Sequence, residues 1–452
     1  MAFQGGLSME DILGKAMSLL REHPLCDSCL GRQFAMLGYG ITNGERGRAL
    51  KTILLLDAHL RLGAGDEGAL EDLRALASNG FFEPARRLLE KLGHRAPPSP
   101  AECRICRGIT SRIGELASRA LEALRSYEFS NLLVGVRLPA EVEEAEDALR
   151  AEFGLEHGET LRNELSREIG KMLVGELGVP VEHRKPDVVV LIEPFEGSVE
   201  VWPSPVFVAG RYRKLVRGIP QAKWVCVSCG GRGCPKCGWQ GKLYPTSVSE
   251  LITEPIVEAF RGEDAAFHAA GREDIDARML GRGRPFVVEV KRPRKRKVDL
   301  SWLEEEVNKR AGGLVSVSGL RYVDRDFVRR MKAERAEKVY ELVVKFDRPV
   351  SDDELKALEE AFSNIRVRQR TPLRVLHRRP DKVRTRMVRE LEVLGRLGPD
   401  SVRLRIRCDG GLYVKELVSG DGGRTRPSIS EFIKAGARVL ELDVVDVLME
   451  GV

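Results

Sequence analysis

The segment Gly271-Arg272-Glu273-Asp274-Ile275-Asp276-Ala277-Arg278 packs three carboxylates and two guanidiniums into eight residues. A carboxylate held beside cations stays ionised, and an ionised carboxylate can act as a base or attack as a nucleophile. The same composition also describes a surface salt-bridge loop, so the segment needs a partner before it means chemistry. Asp276 is the local rival of Asp274 and would share its face in an extended chain. A second segment, Gly411 to Ser428, reads GLYVKELVSGDGGRTRPS. It is expected to begin as a strand carrying Tyr413, Val414 and Lys415, and then to enter a glycine-rich loop. Asp421 in that loop reads as a turn residue hydrogen-bonded to its own backbone.

Eight of the nine cysteines fall into four C-x-x-C pairs, leaving Cys408 single. Cys226, Cys229, Cys234 and Cys237 form C-x2-C-x4-C-x2-C, whose two glycine-opened turns can present four thiolates tetrahedrally to one Zn2+. Four protein ligands leave no open coordination position, so such a zinc is structural. Cys26 and Cys29 lie about seventy residues from Cys103 and Cys106. They make a second four-thiolate site if the intervening helices fold back. His23, His59 and His94 read as packed or solvated residues rather than ligands.

Two basic runs suit a phosphate backbone. Residues 291 to 297, KRPRKRK, hold six cations, and residues 366 to 389 hold ten Lys/Arg against the single acid Asp381. Arg370, Arg374 and Arg378 in the second run are candidate substrate contacts. A charge run is often only a solvated face, but two in one region, with donors of several kinds, favour a nucleic acid. Structured RNA is read through shape, 2'-hydroxyls and extruded bases.

The elements that must position these groups follow from periodicity. Apolar residues at helical spacing fill the first 127 residues, as in MEDILGKAMSLLREH and SRIGELASRALEALRSY. Residues 128 to 225 alternate buried-strand runs, NLLVGVRLP and DVVVLIEP, with amphipathic helices, as expected of a small α/β module. A knuckle and linker occupy 226 to 248. From 249 to 452 strand patterns (PFVVEV, KVYELVVKF, VRLRIRC, LELDVVDVLME) mix with helices (SWLEEEVNKR, DDELKALEEAF, SISEFIKAG). The fold class is therefore α/β (α+β) and multidomain, with a mixed sheet in the last part. At 452 residues with 42% hydrophobic and 31% charged content, the chain can bury sizeable cores without disulfides. The net charge of +6 is a mild hint of a polyanionic partner. No apolar run is long enough to span a membrane, and the N-terminus lacks the pattern of a signal peptide, so a cytoplasmic protein is expected, with a monomer as the simpler guess for its oligomeric state.

Taken together, GREDIDARMLG, KRPRKRK, EKVYELVV, QRTPLRVLHRRPDKVRTR and YVKELVSGDGGRTRPSISE resemble the pseudouridine synthase 10 family of archaea and eukaryotes. CDSCLGRQFAMLGYGITNGERG resembles that family's cysteine-rich entry. KPDVVVLIEP with SPVFVAGRYRKLVRGIPQAKW resembles its THUMP-type RNA-binding module. The likeness covers nearly the whole chain. It implies a helical zinc-pinned N-terminal unit, a THUMP-like module and a C-terminal synthase domain with a mixed, mainly antiparallel sheet. It implies tRNA as substrate, with T-loop uridines 54 and 55 as targets. By the same resemblance Asp274 matches the family's aspartate and Arg272 the residue that holds the nucleotide extruded. Tyr340 matches the tyrosine that stacks on the base, Val414 and Lys415 a strand-borne apolar and basic pair, and Leu442 the apolar residue closing the pocket.

The reaction so implied explains these residue types. Converting uridine to its C-glycoside breaks N1–C1', rotates the base, rejoins it at C5 and removes the C5 proton, with no redox step or metal required. Asp274 must be ionised either to attack covalently or to abstract a sugar proton, and a neighbouring Lys415 would favour that state. The uridine must leave its stack to react, so a basic cleft is needed to offset the unstacking cost. Other THUMP-bearing modifiers fit less well: there is no G-x-G-x-G cofactor loop after a strand, and SGDGG lacks the order of an ATP-pyrophosphatase loop. A non-catalytic zinc-stabilised RNA-binding protein would share the basic surfaces but need no carboxylate in a pocket.

Overall fold

The computed structural model describes residues 8 to 377 and 379 to 449. The chain divides into two compact units, Met1–Ser204 and Pro205–Val452.

The first unit opens with helices α1 (Met9–Glu22), α2 (Asp27–Arg32), α3 (Asn43–Gly63), α4 (Gly68–Ala77), α5 (Glu83–Lys91) and α6 (Ile113–Leu124). Ser8 with Asp11, and Thr42 with Glu45, close reciprocal capping boxes on α1 and α3. Helices α2 and α3 touch backbone to backbone: a Cβ on Gly47 would lie 1.9 Å from the Asp27 carbonyl oxygen, so only glycine allows the crossing. The α/β part comprises β1 (Leu132–Val136), α7 (Ala140–Glu152), α8 (Leu161–Leu177), β2 (Val188–Glu193) and β3 (Ser198–Pro203). Its sheet runs β1-β2-β3, parallel then antiparallel. Arg32, fully buried, donates to Glu146 of α7 at 2.8 Å and Glu164 of α8 at 2.6 Å, tying α2 to that module.

The second unit comprises β4 (Val206–Lys214), α9 (Val248–Phe260), β5 (Asp264–Ala269), β6 (Arg278–Lys291), α10 (Leu300–Arg310), β7 (Val315–Val323), α11 (Arg325–Ala333), β8 (Glu337–Phe346), α12 (Asp352–Ala361), β9 (Ile365–Arg370), β10 (Val383–Gly398), β11 (Ser401–Cys408), α13 (Val414–Ser419), β12 (Thr425–Arg426), α14 (Ile429–Ile433) and β13 (Ala437–Leu448). The strands form one mixed sheet ordered β12-β9-β10-β11-β8-β13-β6-β4-β7, with β5 on β6. Every pairing is antiparallel except β13 with β6, matching the expected mixed, mainly antiparallel sheet. One apolar cluster packs α9 and α10 against β4, β6 and β7, and another packs α12 to α14 against β8, β10 and β11. At Gly281, with φ of +55°, a Cβ would sit 1.8 Å from the Val445 carbonyl oxygen; glycine there lets β6 pass close to β13.

Two segments differ from the sequence reading. SPVFVAGRYRK, read as part of the THUMP-like module, forms β4 and pairs with β6 and β7 of the large sheet. Those partners lie far along the chain, and local periodicity carries no trace of them. Val414–Ser419, expected as a strand, is a short helix between Tyr413 and the left-handed Gly420. Its apolar residues Val414, Leu417 and Val418 stand at i, i+3 and i+4, which puts all three on one buried face of a helix.

Candidate active site

One face of β8 and β13 forms the floor of a cleft of about 300 Å³. Tyr340 pairs with Val444 across the two strands, and Leu342 with Leu442. Alternation sends Lys338 and Tyr340 to the same face of β8. Tyr340, Lys338, Leu442 and Val444 all line the cleft. Burial pushes the Tyr340 phenol above its ordinary range, so it stays neutral.

The loop before β6 supplies Gly271, Arg272 and Asp274 to one wall. Its shape is fixed from below by a buried polar network. Glu273 accepts from the Tyr212 hydroxyl at 2.8 Å and from Arg284 Nε at 2.9 Å, and Arg284 Nη1 donates to the Ala270 carbonyl at 2.8 Å. Gln221 donates to Tyr212 at 2.7 Å and to the Gly271 carbonyl at 3.0 Å. Lys214, fully buried, donates to the carbonyls of Asp274 at 3.1 Å, Ile275 at 3.0 Å and Ile219 at 3.0 Å. Burial holds the Lys214 ammonium below the ordinary lysine range, with the Glu273 carboxylate offsetting part of that cost. Burial likewise raises the Tyr212 phenol, and the charge on Glu273 adds to it. Of the acids in GREDIDAR, Glu273 is thus the scaffold, while Asp274 and Asp276 are left to face outward.

Helix α13 and the 3-10 turn Leu373–Val375 close the other wall. Asp274 Oδ2 lies 3.3 Å from Arg374 Nη1 and 3.4 Å from Lys415 Nζ. Lys415 makes its short hydrogen bonds to Asp276 instead, at 2.7 and 2.9 Å. Burial works against the Asp276 carboxylate, but Lys415 carries it below the ordinary range. Arg374 is itself oriented, donating through Nε to Glu416 at 2.6 Å and lying 5.9 Å over the Tyr413 ring. Arg272 is exposed and stacks 5.7 Å over Trp224, whose ring meets Tyr244 edge-on at 5.6 Å.

The structure therefore brings Asp274, Tyr340, Lys415, Arg272, Val414, Leu442, Tyr413 and Arg374 to one cleft. Arg370 does not line it; its guanidinium pairs with Asp381 at 2.7 Å. Arg378 lies outside the described residues. Sequence reasoning missed Lys338, Arg379, Arg384 and Arg386, which also line the cleft. The three arginines stood in the basic run already singled out; for Lys338 the signal was its place two residues before Tyr340 on one strand.

Both cysteine sets assemble. In each, the four sulfurs lie within 4.8 Å of one another. Cys26 and Cys106 sulfurs are 3.6 Å apart, and the Cys226–Cys234, Cys229–Cys237 and Cys234–Cys237 separations are 3.9, 3.9 and 3.8 Å. Tetrahedral Zn–S bonds of ~2.3 Å place sulfurs about 3.8 Å apart, so both sets fit Zn2+. Backbone amides of Cys234 and Gly241 donate to Cys237 Sγ, each at 3.2 Å, and Arg32 donates to Cys29 Sγ at 3.4 Å. The second knuckle pairs its ends, with the Leu243 amide donating to the Trp224 carbonyl at 2.9 Å, and so braces the ring under Arg272.

Residues 207–448 match the family model for the Pus10 C-terminal domain, and residues 116–193 match that of the archaeal Pus10 THUMP domain. The first match alone spans more than half of the chain. The chain belongs to the Pus10 family. Among its Pus10 relatives, the tRNA pseudouridine synthase Pus10 of Methanothrix thermoacetophila is 48% identical over 439 residues, covering 97% of this chain and 94% of its own. Those of Thermofilum pendens and Methanopyrus kandleri are 46% and 45% identical, over 95% and 96% of this chain and 94% and 98% of theirs. The Pus10 C-terminal match begins inside β4, in agreement with that strand's place in the large sheet.

Proposed function

We propose that this Pus10-family enzyme isomerises T-loop uridines of tRNA, at positions 54 and 55, to pseudouridine, with Asp274 as the reacting carboxylate. What supports this reading most is the setting of Asp274: its carboxylate faces the cleft between Arg374 and Lys415, above the face of β8 that carries Tyr340. Arg374 and Lys415 both lie within ion-pair distance of this carboxylate, which either route requires. Tyr340 stacks on the extruded base, Leu442 and Val414 exclude water from it, and Arg272 on its Trp224 shelf occupies the space the nucleotide leaves. Tyr413, Arg374 and the arginines on the cleft rim hold the flanking phosphates.

Each cysteine set holds one structural zinc. Neither cluster enters the reaction, because four thiolates fill the coordination sphere. The enzyme acts as a cytoplasmic monomer. Among the described residues no helix is long and apolar enough to cross a membrane. The position of modification is tested by carbodiimide-stop mapping of an unmodified tRNA transcript after incubation. Stops at 54 and 55 are expected; stops confined to another arm of the tRNA would contradict the assignment.

A further inference from the structure

Lys338 lines the cleft and has none of the roles given above. It sits two residues before Tyr340 on the same face of β8, with Cys408 of β11 and Val447 of β13 as its cross-strand partners. A Cβ added to Gly271 would lie 3.0 Å from Lys338 Nζ and 3.0 Å from Arg284 Nη1, so the bare glycine leaves room for the ammonium beside the catalytic loop. Among the described residues Lys338 has no ion pair and its side chain makes no hydrogen bond. Arg284, a neighbouring cation, is already committed to Glu273 and to the Ala270 carbonyl. A half-buried cation without an anion of its own is costly to keep, and it lines the cleft.

We infer that Lys338 is a further catalytic residue, whose ammonium donates to a carbonyl oxygen of the detached uracil. This rests on the isomerase reading. When N1–C1' breaks, the bonding pair stays on N1 and the base becomes a uracil anion, its charge delocalised onto O2 and O4. That is so whether Asp274 bonds to C1' or a sugar proton is lost. The base then turns and C5 donates the pair that forms the new C5–C1' bond, as the Asp274–C1' bond breaks and its pair returns to the carboxylate or, on the other route, as the abstracted proton returns from Asp274 to the sugar; the C5 proton departs and N1 takes up a proton. Atoms and electrons balance without a co-reactant. A donor aimed at charge that appears only after bond cleavage stabilises the transition state more than the bound substrate. The groups facing the ammonium are Arg284, Glu273, Tyr340 and Cys408. Burial, and then the positive charge of Arg284, push Lys338 down to about 8. The cation is therefore present at neutral pH and is lost as pH rises through that value.

The test is tritium release from an unmodified tRNA transcript labelled at uridine C5, followed from about pH 6 to pH 9.5, for the native chain, Lys338→Met and Lys338→Arg. The native kcat should decline above about pH 8. Lys338→Met should lose kcat on the order of 100-fold at neutral pH, with tRNA affinity and melting temperature kept, and should lack the alkaline decline. Lys338→Arg should recover part of the rate and move the decline upward, since arginine stays charged. A native rate and pH profile in Lys338→Met would overturn the inference alone. So would a loss that arginine does not relieve and that follows a fall in melting temperature, which marks a packing role. No release by the native chain would bring down the isomerase reading and this inference together.

Discussion

Lys214 Nζ donates to the main-chain carbonyl of Asp274 at 3.1 Å, from a strand sixty residues earlier in the chain. The carboxylate that faces the cleft is thus aimed by a buried ammonium beneath it, which also holds the carbonyls of Ile275 and Ile219. Lys214→Met keeps the volume but leaves three carbonyls without their shared donor. The expected result is a fall in kcat on the order of 100-fold from a loop displaced by about 1 Å, with tRNA affinity little changed. Stability should drop by about 2 kcal/mol. Single-turnover kinetics and urea unfolding measure the two separately.

Much of the site was legible in the sequence because its chemistry sits in short runs. GREDIDAR, the strand around Tyr340 and the segment from Tyr413 to Lys415 each supply their groups locally, and cysteine spacing alone announced the knuckle. What was not legible depends on partners distant in sequence. The RYRK run lies in the segment that resembles the THUMP-type module; only the pairing of β4 with β6 and β7 turns Tyr212 and Lys214 inward beneath Asp274. Helix α13 was read as a strand because six residues are too few for period to outweigh the β-branched Val414 and Val418. Its helical turn explains why Lys415 reaches Asp276 more closely than Asp274.

That geometry separates the two aspartates. Asp276 is mostly exposed and serves as the hydrogen-bond partner of Lys415. Asp276→Asn should reduce kcat only about tenfold, because the freed Lys415 can still face Asp274 within ion-pair range. Comparison of single-turnover rates for the two Asn variants checks this. Equal losses would place the reacting carboxylate in doubt.

The two four-cysteine sets should behave differently. Metal analysis of the purified chain should find two zinc ions, and Cys234→Ser should lose one. Because the knuckle braces Trp224 beneath Arg272, that variant should weaken tRNA turnover while the helical unit stays folded. Cys26→Ser opens the cluster in the core of the first unit and should cost more than about 5 kcal/mol, since structural zinc binding is worth ~10 kcal/mol or more. Unfolding at a common urea series distinguishes the two.

Arg32 offers a pH test. Burial raises the Glu164 carboxyl, and Arg32 offsets only part of that rise. A raised carboxyl binds its proton in the folded state before the unfolded one, so this group adds stability as pH falls through its folded value toward about 4.5. Arg32→Met leaves Glu164 buried without its cation and Glu146 with only Arg150, at 3.4 Å, and should cost roughly 3–5 kcal/mol at neutral pH. The deficit should shrink as pH falls and the Glu164 carboxyl, already raised by burial, takes up its proton. A deficit independent of pH would contradict the role given to the pair.

The central claim is that Asp274 is the reacting carboxylate of a uridine isomerase. Its most direct measurement compares tritium release from C5-labelled, unmodified tRNA by the native chain and by Asp274→Asn, with tRNA binding followed in parallel. The account predicts stoichiometric release by the native chain and none above background by the variant, at unchanged affinity. Release by Asp274→Asn at the native rate would contradict it.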